Sequence, residues 1–135
     1  IGYSVSHSKL AKKMSARKIT WNVNGLAQLA GIIALNDGMH LNSARRVIIR
    51  ERKFMFGEIF RRLKTFSTVH SDVNFYLLNL HGRNSTRLRD YLLKMNRVLV
   101  RDCSTFRGLG KNFIRVAIKN RKQNLELLRI LELID

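Results

Sequence analysis

The hydrophobic pattern changes its period near the middle of the chain, and this change constrains the fold more than any other feature. Up to about residue 64, apolar residues recur every three or four positions, as on one side of an α-helix. Further along, short apolar runs alternate with helical segments, as in a mixed sheet and helix structure. The sequence contains no proline, which favours helices because proline interrupts them. We therefore predict an α+β fold with a helical N-terminal half.

The first half is predicted to contain one strand and three helices. Residues 1–5 read as a short strand, and residues 8–14 as a surface helix. Residues 22–35 match the helical template with apolar residues, which predicts a buried helix. Residues 41–64 form a long linking helix with arginines over much of its surface.

The second half is predicted to have the order β-α-β-β-α. The elements are a strand at 73–80, a helix from Asn84 or Ser85, strands at 98–100 and 113–118, and a helix from Asn120. The boundary between the halves lies near residues 66–70. We predict two domains, residues 1–65 and residues 66–135.

The charge balance limits the choice of partners. The chain has 26 Lys and Arg against 9 Asp and Glu, a formal net charge of +17, which predicts a preference for anionic partners. The single cysteine, Cys103, excludes a disulfide framework and a zinc site built on paired cysteines. It fits a reducing compartment, so the expected location is the cytoplasm. No segment resembles a transmembrane helix or a signal peptide.

Arg115 is the residue that most suggests a binding site. Alternation along the strand places Ile114 and Val116 on one face and Arg115 between Phe113 and Ala117 on the other. A guanidinium among apolar neighbours needs an anionic partner, and its planar fork suits a carboxylate. That carboxylate belongs either to an Asp or Glu of this chain or to a ligand.

Arg101 lies at a strand exit, where ligands often bind. The neighbouring Asp102 is the alternative, as a structural partner for this arginine. The loop at 108–111 lacks the phosphate-cradle pattern, and Cys103 is expected to be a packing residue. Neither zinc nor a Cys-His nucleophile is supported, because the four histidines have no ligand spacing.

The long basic helix offers an alternative function. Its cations between Arg45 and Arg62 could follow a phosphate backbone, which predicts a nucleic-acid-binding module. Its phenylalanines are spaced as packing residues, unlike a stacking platform on a sheet. Glu51 and Glu58 are expected to pair with nearby arginines.

Four segments of the chain occur in an order that is typical of one enzyme family. They are Trp21 to Asn24 with Leu26 to Gln28, Ser71 to Phe75, Val98 to Ser104, and Gly110 to Ala117. Together they resemble the C-terminal part of fold-type I pyridoxal-phosphate enzymes, in the histidinol-phosphate aminotransferase and threonine-phosphate decarboxylase subgroup. The resemblance covers nearly the whole chain, and it implies that the β-α-β-β-α half is the small C-terminal domain of such an enzyme.

The resemblance assigns roles to both arginines. It implies that Arg115 binds the α-carboxylate of an amino-acid substrate and that Arg101 contacts the distal phosphate of a phosphorylated one. The cofactor of the complete enzyme would be pyridoxal 5'-phosphate, and the complete enzyme would be a homodimer. No catalytic residue is assigned to this chain.

One departure from the family pattern limits the expected activity. The family lysine that forms the Schiff base precedes the segment that resembles Ile1-Gly2-Tyr3, and the four lysines before Trp21 do not match it. The chain is therefore expected to be a C-terminal portion that needs an N-terminal pyridoxal-phosphate-binding portion or partner chain and is inactive alone. As such a portion, it should expose the helix at 23–35 and self-associate.

Overall fold

The computed structural model describes all 135 residues, which divide into two compact units, residues 1–42 and residues 43–135. In chain order the elements are α1 (Ser8–Ala16), α2 (Gly25–Asn36), α3 (Gly38–Arg62), β1 (Ser67–Thr68), β2 (Phe75–Asn79), α4 (Ser85–Asn96), β3 (Arg101–Asp102), β4 (Phe113–Ala117) and α5 (Arg121–Glu132). This confirms the predicted α+β class. The division into domains at residue 65 concerns a complete enzyme and stays a prediction. None of the helices is both long and apolar enough to cross a bilayer.

The unit of residues 1–42 corrects two expectations. Residues 1–5 form no strand, because no other strand lies beside them to share backbone hydrogen bonds. The predicted helix at 22–35 exists as α2, capped by the Asn24 side chain, which accepts from Leu26 N at 2.8 Å. It is not buried: Leu26 is 78% and Ile33 61% exposed. The apolar residues of α2 surround the whole helix, so packing on one side could not cover them.

The unit of residues 43–135 is built on one antiparallel sheet in the order β1-β2-β4-β3. β2 and β4 pair along their whole length, from Phe75 opposite Ala117 to Asn79 opposite Phe113. The strand predicted at 98–100 was misplaced. The residues that pair with β4 are those of β3, which directly follow residue 100. Val100 is buried, so its apolar side chain reflects packing in the core and does not mark a residue that pairs with β4.

The two faces of this sheet have different surroundings. Tyr76, Leu78, Ile114 and Val116 point to one face and belong to the buried core. The helices contribute Met55, Ile59 and Leu63 from and just after α3, Leu88 and Leu92 from α4, and Leu127, Leu128, Ile130 and Leu131 from α5. The opposite face carries half-buried side chains, among them Arg115. The sheet therefore has one packed face and one face open to a ligand or partner.

The two glutamates of α3 are ion-pair partners of arginines, as predicted. Glu58 pairs with Arg61 and, at 2.7 Å, with Arg62 on the next helical turn. Glu51 is 1% exposed and pairs with Arg121 of α5. These ion pairs give both glutamates a structural role in this unit.

Candidate functional site

An open cavity of about 780 Å³ lies where β3, β4 and α4 meet. Its walls contain three arginines, two aspartates, one asparagine and five apolar residues. Both arginines singled out from the sequence, Arg101 and Arg115, are among them. The structure thus places the two predicted site residues in one cavity.

Arg101 and Arg115 stand directly opposite each other on neighbouring strands. Neither guanidinium forms an ion pair with a carboxylate of this chain. Each lies over an aromatic ring instead: the Arg115 Cζ is 4.9 Å from the centre of the Phe75 ring, and the Arg101 Cζ is 5.4 Å from that of Phe106. The internal salt bridge considered for Arg115 is therefore absent.

The opposed arginines make this part of the sheet electrostatically unfavourable without a counter-charge. Like charges directly opposite across an antiparallel pair repel each other. Contact with an aromatic ring offsets part of this cost, since the ring face attracts cations. An anion bound between the two guanidiniums would offset the rest, and their planar forks suit carboxylate and phosphate oxygens.

Asp102 is not the partner of Arg101, which corrects the alternative considered for that arginine. Its side chain points to the other face of β3 and is 9% exposed. It accepts hydrogen bonds from Ser85 Oγ and Thr86 Oγ1, both at 2.7 Å, and from Ser104 N at 2.9 Å. Burial raises the pKa of Asp102, but these hydrogen bonds outweigh burial and hold the pKa well below its ordinary value.

The sequence analysis missed Arg89 and Asp90, which line the same cavity from α4. Arg89 Nε and Nη2 donate to Asp90 Oδ1 at 2.9 and 2.7 Å. Leu93, four residues after Arg89, also lines the cavity. Residues four apart lie on the same face of a helix, so the sequence does indicate that Arg89 and Leu93 share a face. The spacing gives no indication that this face borders β3, because only the folded chain brings them together.

The remaining candidates lie outside this cavity. The loop before β4 turns through Gly108 and Gly110, whose φ angles are 89° and 61°, values that favour glycine. Cys103 is fully buried, which confirms it as a packing residue, and burial raises the pKa of its thiol. Along α3, Arg45, Arg46 and Lys53 are exposed without ion pairs.

The phenylalanines of the long basic helix were expected to pack, and most do. Phe54 and Phe56 lie against the core, and Phe66, just after the helix, is buried within it. Phe60 is the exception, because it is 91% exposed on the outer side of α3. An isolated exposed ring does not form a stacking platform for bases.

The residues present do not fit pyridoxal phosphate as a resident cofactor. Covalent attachment of this cofactor needs a lysine amine, and the cavity between β3, β4 and α4 has no lysine in its walls. A second cavity, of about 640 Å³ within residues 1–42, contains Lys18 but no carboxylate that could pair with a pyridine nitrogen. Neither cavity has both the lysine and the carboxylate that the cofactor needs.

The sequence and the fold are both similar to known enzymes. The histidinol-phosphate aminotransferase of Methanocaldococcus jannaschii is 31% identical over 98% of this chain and 35% of its own length. The solved histidinol-phosphate aminotransferase of Clostridium acetobutylicum superposes with a TM-score of 0.82 at 31% identity, over 93% of this chain and 37% of that one. The L-threonine-O-3-phosphate decarboxylase of Porphyromonas gingivalis gives 0.77 at 25% identity, over 96% and 40%.

These similarities confirm the subgroup resemblance found in the sequence. The chain spans about 35% of the length of the curated relative given above. Residues 1–131 match the family described as aminotransferase class I and II, whose members use pyridoxal phosphate. The chain therefore belongs to the aminotransferase class I and II family.

Proposed function

We propose that this chain supplies the substrate-anion-binding part of a pyridoxal-phosphate-dependent aminotransferase or threonine-phosphate decarboxylase-like enzyme. The substrate is a phosphorylated amino acid or amine. Arg115 binds the α-carboxylate, and Arg101 binds the distal phosphate. One observation carries the proposal: these two arginines face each other in one cavity, and neither has a carboxylate partner in the chain.

The position of the arginines on the sheet supports this assignment. Both side chains project from the open face, where a ligand can reach them without disturbing the core. β4 is the central partner of β2 and β3, so the backbone of Arg115 is held on both sides. The guanidinium itself lies against the Phe75 ring, and a side chain restrained in this way loses less conformational freedom when a ligand binds.

The cofactor and the partner follow from the same proposal. The complete enzyme is a homodimer, and its lysine and cofactor-phosphate ligands come from an N-terminal portion or a partner chain outside these 135 residues. This chain alone has no activity, because it only binds and orients the substrate. The exposure of the apolar helix α2 agrees with such a partner. The cytoplasmic location is part of the proposal and agrees with a single, buried and unpaired Cys103.

The proposal is tested by an amide NMR titration of the 135-residue chain with O-phospho-L-threonine. We expect saturable shifts at residues 100–102 and 113–117, and their loss in Arg115→Gln. The matched control is Arg107→Gln, which removes the same charge from an exposed loop position outside the cavity and should titrate like the wild type. If the wild type shows no saturable shifts, or if Arg115→Gln titrates unchanged, the proposal is wrong.

A short single-stranded RNA in a parallel titration tests the alternative function. The exposed cations Arg45, Arg46 and Lys53 on α3 favour this alternative. Shifts along residues 45–62 that disappear with added salt, together with no response to O-phospho-L-threonine, would favour nucleic-acid binding.

A further inference from the structure

Arg89 brings a third guanidinium to the cavity that holds Arg101 and Arg115. It lies in the second turn of α4, and its side chain is 34% exposed. α4 is fixed at its start, because Asn84 Oδ1 accepts from Thr86 N at 3.0 Å and from Arg87 N at 3.1 Å. Arg89 therefore approaches the cavity from a helix whose first turn is held in place.

The contacts of Arg89 leave part of its guanidinium free. Nε and Nη2 both donate to a single oxygen of Asp90, and Nη1 lies 3.8 Å from Asp102 Oδ2, too far for a hydrogen bond. A guanidinium has five N–H donors, so those of Nη1 and one of Nη2 remain available. Asp90 thus orients the Arg89 fork without using all of it.

The buried Asp102 has no hydrogen bond to Arg89, only an ion pair at 3.8 Å. Two hydroxyl groups and one backbone amide already donate to its carboxylate. Arg89 can therefore move its Nη1 toward a ligand without removing a hydrogen bond from the buried carboxylate. The long Nη1 distance agrees with this freedom.

The charge of the cavity favours a ligand with more than one negative charge. Its walls hold three arginines against two aspartates, and one of those aspartates, Asp102, is buried and already accepts three hydrogen bonds. A single carboxylate on Arg115 would leave the guanidinium of Arg101 without an anion and would leave unused the Arg89 donors that do not contact Asp90. A phosphate group has three oxygens and about two negative charges, so it can accept from both.

We propose that Arg89 is a further phosphate-binding residue and determines the preference of the cavity for phosphorylated over unphosphorylated amino acids. This inference rests on the function proposed above. In it, Arg115 takes the carboxylate, Arg101 and Arg89 share the phosphate, and Asp90 holds the Arg89 fork in position.

The test compares the affinities of O-phospho-L-threonine and L-threonine, measured by amide NMR titration at fixed ionic strength. Arg89→Gln should bind O-phospho-L-threonine about tenfold more weakly, as expected for the loss of one charge-assisted hydrogen bond, with L-threonine affinity unchanged. The matched control is Arg87→Gln, an exposed arginine on the same helix that does not line the cavity. It removes the same charge and should change neither affinity by more than about twofold.

Each result decides between the proposals. If Arg89→Gln binds O-phospho-L-threonine like Arg87→Gln, or loses both ligands equally, the role of Arg89 is wrong while the proposed function stands. If the wild type binds neither ligand, both proposals fail. Should Arg89→Gln lose the amide dispersion of a folded protein, Arg89→Lys replaces it, and several-fold weaker binding of the phosphorylated ligand alone is then the expected result.

Discussion

Arg121 Nε donates a hydrogen bond to Glu51 Oε2 at 2.9 Å, and this contact joins α5 to α3. Arg121 Nη2 donates to the other carboxylate oxygen at 3.2 Å, and the guanidinium lies 3.5 Å from the centre of the Phe54 ring. The hydrogen bond from Arg121 lowers the pKa of Glu51, and it outweighs burial, which would raise it. The pair therefore keeps a buried carboxylate ionised between two helices that pack on the sheet.

The first prediction concerns this ion pair. Glu51→Gln should lower the free energy of unfolding by about 1–3 kcal/mol, because charged hydrogen bonds to a buried group are lost. Urea unfolding followed by circular dichroism measures the change. Glu126→Gln is the control, since Glu126 is exposed and has no ion pair. Equal urea midpoints for the two variants would show that the pair does not stabilise the fold.

The second prediction concerns pH. The folded-state pKa of Asp102 lies below its ordinary value of 3.8, so the folded state holds this proton less tightly than the unfolded state. The stabilisation is complete above about pH 5 and is lost as pH falls through and below the ordinary value. The unfolding free energy of the wild type should therefore drop between about pH 5 and pH 2.

The Asp102→Asn variant isolates that contribution. It should be less stable than the wild type at pH 7, and its unfolding free energy should fall less steeply between about pH 5 and pH 2. Glu51 and Asp135, whose pKa values are also lowered, would still contribute to the remaining slope. Urea titrations at several pH values measure the unfolding free energy of both proteins. Parallel curves of unfolding free energy against pH would rule out an effect of Asp102.

The third prediction concerns the rings that hold the arginines. Phe75→Leu should weaken binding of O-phospho-L-threonine by a few fold, because the ring under the Arg115 guanidinium is lost. Phe113→Leu is a matched control: Phe113 is half-buried on the same sheet face but has no guanidinium over its ring. NMR titration measures the affinity of each variant for O-phospho-L-threonine. Equal affinities of the two variants would mean that the ring of Phe75 does not position Arg115.

The fourth prediction concerns the exposed helix α2. We expect the 135-residue chain to self-associate and to bind an apolar dye, because α2 leaves large apolar side chains in solvent. Leu29→Glu should reduce both signals, as measured by light scattering and dye fluorescence. Gln28→Glu adds the same charge at the neighbouring position and leaves the apolar surface intact, so it should retain them. A wild-type chain that is monomeric and dye-free would contradict the prediction.

Periodicity predicted helices well because a helix is defined by its own residues. α4 and α5 begin after Asn84 and Asn120, as their capping side chains indicated. Strands depend on a neighbour, so a two-residue strand such as β1 has too little sequence to reveal it. Burial of α2 was predicted wrongly for a related reason, since apolar residues surround this helix and its sequence does not show what covers them.

The site was predictable only in part. Arg115 was visible because a charged residue interrupted an alternating apolar strand. The roles of Arg101 and Asp102 could be separated only by the structure, because both are polar and adjacent. Arg89 could not be found from the sequence, since its place in the cavity depends on how α4 packs beside β3.

The orientation of the two residues of β3 fixes the length of the segment that joins α4 to β3. Arg101 projects to the open face and Asp102 to the packed face, because successive strand residues point in opposite directions. Deleting or inserting one residue between α4 and β3 would exchange these faces. The Asp102 carboxylate would then lose its hydrogen bonds from Ser85 and Thr86, and a guanidinium would enter the packed face. We therefore expect the segment of residues 97–100 to accept substitutions that keep Val98 and Val100 apolar, and to accept no change of length.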